Sequence, residues 1–118
     1  MLNEIIELLT ANNRIIILVL VTLALDVITG VLKAIVNKEL DSSKFRTGLL
    51  HQFANLLLLL FAILVDVGFS LNGSVGIVTA TFIIGMSGVS VLENLAASGI
   101  AIPKPLTDTL AKINGKEE

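Results

Sequence analysis

Apolar residues run almost unbroken from Ile15 to Val36, from Leu49 to Leu71 and from Val75 to Leu92, and polar residues gather between and beyond these segments. As a helix at ~1.5 Å per residue, the first segment would be about 33 Å long, against a hydrocarbon core of about 30 Å. The second carries five consecutive leucines, Leu56 to Leu60, at its middle. The third is shorter, about 27 Å of helix, and spans with slight bilayer thinning or with anchoring flanks. The pattern therefore predicts an all-α membrane protein with three transmembrane helices, 15–36, 49–71 and 75–92. The stretch 37–48 (NKELDSSKFRTG) is polar and turn-forming and reads as a loop, with Asp41, Ser42 and Ser43 as available caps. Asn72, Gly73 and Ser74 leave room only for an antiparallel return.

Residues 1–14 set Ile5, Ile6, Leu8 and Leu9 against Glu4 and Glu7. That suits either a short amphipathic helix on the membrane surface or the leading turns of the first span, and the sequence leaves both open. In the C-terminal segment, 93–118, Glu93 and Asn94 mark the exit from the membrane and Pro103 and Pro105 bar a continuous helix. Leu106, Leu110 and Ile113 then form a one-sided apolar stripe beside Asp108 and Lys112, predicting a short amphipathic surface helix. Asn114 to Glu118 reads as a frayed tail.

The first span has a polar periodicity of its own. Asp26, Thr29, Gly30 and Lys33 stand at i, i+3, i+4 and i+7, and Thr22 and Asn37 extend that helical face. The segment's fifteen Ile, Leu and Val residues favour insertion by roughly 4 to 6 kcal/mol, against about 3 kcal/mol for a central aspartate, so it can still span. With the spans aligned end to end, Asp26 comes level with Leu59 and Ile83, neither of which is a partner. Lys33 is two turns away, roughly 10 Å. A lone copy in lipid would then carry Asp26 uncharged, or turn it to Thr22, Thr29 or the Thr79 to Thr81 stretch. In a ring of copies with the first span turned inward, the whole stripe would meet water and line a pore. The alternative is a helix interface between the first and third spans, with Gly30 giving clearance. Asn55, Asp66 and Ser87 are further intramembrane polar residues; Asp66, near the end of its span, reads as an interfacial acid that snorkels. Thr81, Gly85 and Gly88 have the spacing of close helix packing, within one subunit or between subunits.

Composition narrows the function. With 54% hydrophobic and 15% charged residues the chain is not a water-soluble domain, and a net charge of −2 argues against nucleic acid. There is no cysteine and a single histidine, His51, without a helical acidic partner, so no catalytic residue, metal site or cofactor is expected. The first 14 residues lack the basic start of a cleavable signal peptide. Lys33, Lys38, Lys44, Arg46, Lys104, Lys112 and Lys116 flank one membrane side and Arg14 alone the other. This places the N-terminus outside and the charged loop and C-terminus in the cytoplasm.

The stretches DVITGVLKAIVNKELDSSKFRTGLL (Asp26 to Leu50) and SVLENLAASGIAIPKPL (Ser90 to Leu106) resemble the toxin secretion/phage lysis holin family. Its pattern runs D-x-x-T-G-x-x-K-A, a Ser-Ser turn and a Gly, then S-x-x-E-N and a G-x-x-x-P-K-x-L ending. Here these fall on Asp26, Thr29, Gly30, Lys33, Ser42, Ser43, Gly48, Ser90, Glu93, Asn94 and Pro103. The resemblance implies a multi-pass protein of the bacterial cytoplasmic membrane that forms homo-oligomeric pores or lesions. Through these an endolysin reaches the wall in phage-induced cytolysis, or a large toxin is secreted. Gln52 stands where relatives often have a base and Ser87 where they often have a glutamate, so a paired acid and base are expected to have been lost together. Met1 and Met86 are the only methionines, so an antiholin partner would be a separate protein. The alternative from another class is a small oligomeric ion channel or transporter subunit with Asp26 and Lys33 along its path; a third is a membrane scaffold that docks a partner through the stripe.

Overall fold

Five helices, α1 (Leu2–Ala11), α2 (Asn13–Val36), α3 (Ser42–Gly68), α4 (Ser74–Ala97) and α5 (Lys104–Ile113), make up the computed structural model, which describes residues 1–113. The tail expected to fray, Asn114 to Glu118, lies outside the described residues. Three helices, α2, α3 and α4, are long and apolar enough to cross a membrane. In α4, 44% of the most apolar stretch is buried, against 22% in α2 and 17% in α3, which makes α4 the central helix. It packs along α2 over most of its length and less closely on α3, while α2 and α3 touch little. Val19 and Leu23 of α2, Leu59 and Ile63 of α3, and Ala80, Ile83 and Ile84 of α4 form the buried core. Ile28, Leu57, Phe61 and Val78 point outward and are at least half exposed, as side chains that meet lipid should be.

The helices run past their apolar segments. α3 begins at Ser42, so the expected loop 37–48 is corrected to a short connection before that residue. Asp41 caps the helix by accepting from the Ser43 amide at 2.8 Å, and Lys44 and Arg46 ride on the first turns. A helix needs hydrogen-bonded backbone, not an apolar surface, once it leaves the hydrocarbon. For the same reason α4 continues to Ala97, past Glu93 and Asn94.

At the other end, Asn12 breaks α1 from α2 with φ −114° and ψ 30°, and its side-chain amide donates to the Leu8 carbonyl at 2.9 Å. Of the two arrangements left open for residues 1–14, the chain takes the separate helix. α1 seats Leu8 over the turn between α3 and α4: a Cβ built on Gly73 would stand 3.0 Å from Leu8 Cδ1. Gly73 also holds φ +87°, a region that L residues enter at a cost. Gly73→Ala is therefore expected to lower stability by about 1 to 2 kcal/mol, read as an earlier unfolding midpoint by circular dichroism in mild detergent.

The C-terminal helix does not lie free on a surface. α5 folds back on α4, and Leu110 fills the notch left by Gly88, where an added Cβ would come within 3.1 Å of both Leu110 methyls.

Candidate functional site

Asp26 sits on the α4-facing side of α2, and both oxygens of its carboxylate are engaged within the chain. Oδ2 accepts from Gln52 Nε2 of α3 at 2.6 Å, and Oδ1 accepts from Ser90 Oγ of α4 at 2.6 Å. One turn further along α4, Asn94 Nδ2 donates to Thr29 Oγ1 at 3.1 Å and makes longer contacts, 3.4 Å, with Asp26 Oδ1 and the Asp26 carbonyl. Asn55 Nδ2 donates to Gln52 Oε1 at 3.0 Å and orients that amide, leaving its nitrogen for Asp26. Three helices thus meet in one polar cluster.

Helical spacing builds it. Ser90 and Asn94 are i and i+4 on α4, Gln52 and Asn55 are i and i+3 on α3, and Asp26 and Thr29 are i and i+3 on α2, so each pair shares a face. Thr29 Oγ1 donates to the Leu25 carbonyl at 2.7 Å, which turns its lone pairs toward Asn94. Gly30 leaves room for the same amide, since an added Cβ would lie 3.7 Å from Asn94 Nδ2.

The end-to-end alignment that left Asp26 opposite Leu59 and Ile83 is overturned. Its partners lie seven residues nearer the α2–α3 connection on both neighbours, about 10 Å along each helix. The reason is the extension of α3 and α4 beyond their apolar segments: register follows the helix ends, not the ends of hydrophobicity. Nor does the Asp26 carboxylate turn to Thr22, Thr29 or the Thr79 to Thr81 stretch; Thr81 Oγ1 donates to its own helix at Ile77.

The remaining stripe divides in two. Thr22 and Thr29 are buried and Gly30 half-buried against the bundle, whereas Lys33 and Asn37 are exposed. Asn37 Nδ2 reaches the Ala97 carbonyl at 3.4 Å, tying the end of α2 to the end of α4. Beside the cluster, between α2 and α3, opens a cleft of about 350 Å³ whose wall includes Asp26, Gly30, Lys33, Lys44, Gly48 and His51.

Asp66 is corrected more sharply. It is 1% exposed and does not snorkel: Oδ1 accepts from the Gly73 amide at 2.7 Å and Oδ2 from the Gly76 amide at 2.8 Å, so the side chain at the end of α3 caps the start of α4. Ser87 and Gly85 are buried on α4, and Glu93 is exposed. Gln52 lies off the polar face of α2, and the signal that points to it is the Gln52 and Asn55 pair at i, i+3 where the apolar part of α3 begins.

The comparisons with known proteins agree with one another. The profile of the bacteriophage holin family matches residues 4–115. A Bacillus phage phi105 protein named "Probable holin" is 37% identical over 101 residues, covering 86% of this chain and 75% of that protein. An uncharacterized Bacillus subtilis protein, YqxH, is also 37% identical over 101 residues, 86% of this chain and 72% of its own length. An uncharacterized 14.9 kDa protein of Clostridium perfringens is 38% identical over 100 residues, 83% and 75% of the two chains. No solved structure matches.

Proposed function

The chain belongs to the bacteriophage holin family, whose members are non-enzymatic membrane proteins, and on that premise we propose that it oligomerises in the bacterial cytoplasmic membrane and opens lesions there. Family membership carries this reading. The lesions pass an endolysin to the cell wall, or a large toxin out of the cell. The polar cluster supplies the two states that such a device needs. In the closed form Asp26 is satisfied by Gln52 and Ser90 within one chain, so single copies rest in lipid without a partner. Crowding or loss of membrane potential then favours an assembly in which the stripe from Thr22 to Asn37 faces water. A shift of this kind requires a free-energy difference between the states, which release of Asp26 from Gln52 and Ser90 into full hydration, beyond what the closed cluster allows, supplies.

Flux tests the proposal. Expressed with a cytoplasmic endolysin in a bacterial host, the chain is expected to release folded proteins of the cytoplasm abruptly at lysis. Ion-selective current with the cytoplasmic proteins retained would instead establish the small-channel alternative, with Asp26 and Lys33 along its path.

The orientation is part of the same reading: N-terminus and α3–α4 turn outside, α2–α3 connection and C-terminus in the cytoplasm. Ser74, exposed at that turn, carries the probe. Ser74→Cys is expected to react with an impermeant thiol reagent added to intact spheroplasts, and reaction only in inverted vesicles would reverse the topology.

A further inference from the structure

The cleft beside Asp26 runs in one direction only. Its rim is the connection between α2 and α3, with Glu39 and Asp41; its walls carry Lys33, Lys44 and His51; and its inner end is the cluster of Asp26, Gln52, Ser90 and Asn94. Beyond Asp26 the helices close on the buried apolar core, and the cleft goes no further. It exists because α2 and α3 touch little, and because Gly48 sends nothing into it: a Cβ built there meets no atom within 4 Å.

Water, not lipid, suits this space. Lys33, Lys44, Glu39 and Asp41 line it, and among the described residues none of them forms an ion pair, so acyl chains in the cleft would surround unpaired charges. The volume of about 350 Å³ has room for roughly ten waters at about 30 Å³ each. Asp26 lies ten residues from the end of α2, about 15 Å along the helix, or about half of the hydrocarbon thickness.

We propose that each single subunit, before any assembly, holds a one-sided aqueous vestibule that brings water and small hydrated ions from the α2–α3 connection to the Asp26 carboxylate. The inference rests on α2, α3 and α4 spanning the membrane, and it deepens the proposed function. A subunit already breaches half of the barrier, and lesion formation has only the layer of Val19, Leu23, Leu59, Ile63, Ile83 and Ile84 left to part.

Because the chain has no cysteine, single thiols report without background. Gly30→Cys is placed inside the vestibule, where its Cβ meets nothing closer than 3.7 Å. Ile28→Cys sits at nearly the same depth but, 59% exposed, on the outward face of α2. Ser43→Cys, exposed at the start of α3, marks the side of the connection. With a charged impermeant reagent on sided vesicles prepared before lysis, Gly30→Cys is expected to react from the Ser43 side. Its rate should exceed that of Ile28→Cys by at least about tenfold, since the thiolate that reacts forms only in water. Adding Gly48→Phe should fill the vestibule and slow the reaction at position 30 by about tenfold, the reagent and the water that ionises the thiol being shut out together. Equal rates at positions 30 and 28, or reaction of Gly30→Cys only from the opposite side, would overturn the vestibule. Lysis by the parent chain is scored separately: labelling as expected from a chain that never lyses cells supports the vestibule and removes the lesion-forming function.

Discussion

Asp26→Leu is expected to insert and accumulate at least as well as the parent chain and to cause no lysis. Insertion improves because a central aspartate costs about 3 kcal/mol on the translocon scale, whereas leucine is favourable. The closed bundle survives because the orphaned donors have other recourse. Asn94 keeps its bond to Thr29 Oγ1 at 3.1 Å, Ser90 can turn its hydroxyl to the carbonyl one turn back on α4, and Gln52 borders the cleft. On the proposed mechanism, what disappears is the group whose release from Gln52 and Ser90 into full hydration favours the open assembly. Endolysin-dependent lysis is the measurement, with membrane levels followed by immunoblot, and lysis on the parent schedule would remove Asp26 from the mechanism.

Removing a donor in place of the acceptor should act in the opposite direction. Ser90→Ala or Gln52→Leu deprives one oxygen of Asp26 of its 2.6 Å partner in the closed form, and with water of the cleft as a substitute the loss is the net worth of a hydrogen bond, about 0.5 to 1.5 kcal/mol. That shifts the balance between closed and open forms by a factor of about 2 to 13, so both variants are expected to lyse early at equal expression. A cluster that served only to hold the fold would give weaker accumulation and delayed lysis in all three variants. The opposite signs at Asp26 and at its donors separate a switch from a scaffold.

The three spans were legible because lipid imposes a length and an apolarity that the chain displays openly from Ile15, Leu49 and Val75 onward. The partners of Asp26 were not legible, although Ser90 and Asn94 belong to the S-x-x-E-N motif, Asn55 reads as an intramembrane polar residue and Gln52 stands where relatives often have a base. Hydropathy locates where a segment leaves hydrocarbon, whereas contact between helices depends on where their backbones begin and end. Asp41 starts α3 seven residues before its apolar segment, and that shift exchanges Leu59 for Gln52 opposite Asp26. It also changes the meaning of the Gln52 position. A base there would meet Asp26 first, so the acid to which position 52 is coupled is the one on α2. The role of Asp66 was hidden for a different reason: its donors are backbone amides, which no side-chain pattern reveals.

Asp66→Ala is expected to destabilise the folded chain by about 2 to 6 kcal/mol, at about 1 to 3 kcal/mol for each of the two buried amides left without an acceptor. The first amides of α4 have no partners within their own helix, and Gly73 at the N-cap position has no side chain to offer. The carboxylate of Asp66 reaches across from α3 to fill that role, binding Gly73 and Gly76 at 2.7 and 2.8 Å, while its own carbonyl accepts from the Leu71 amide at 2.9 Å. One residue thereby fixes both the exit from α3 and the entry to α4, in a place where water does not replace it. Asp66→Asn keeps one acceptor oxygen but turns an NH₂ toward the other amide, and about half of the loss is expected there. Unfolding in mild detergent followed by circular dichroism gives both values, and an Asp66→Ala midpoint equal to that of the parent would show that the turn is held by other contacts. Because this cap lies at the opposite end of the bundle from the vestibule, the lysis defect of Asp66→Ala should scale with the loss of folded protein, and lysis timing should return to that of the parent once folded levels are matched.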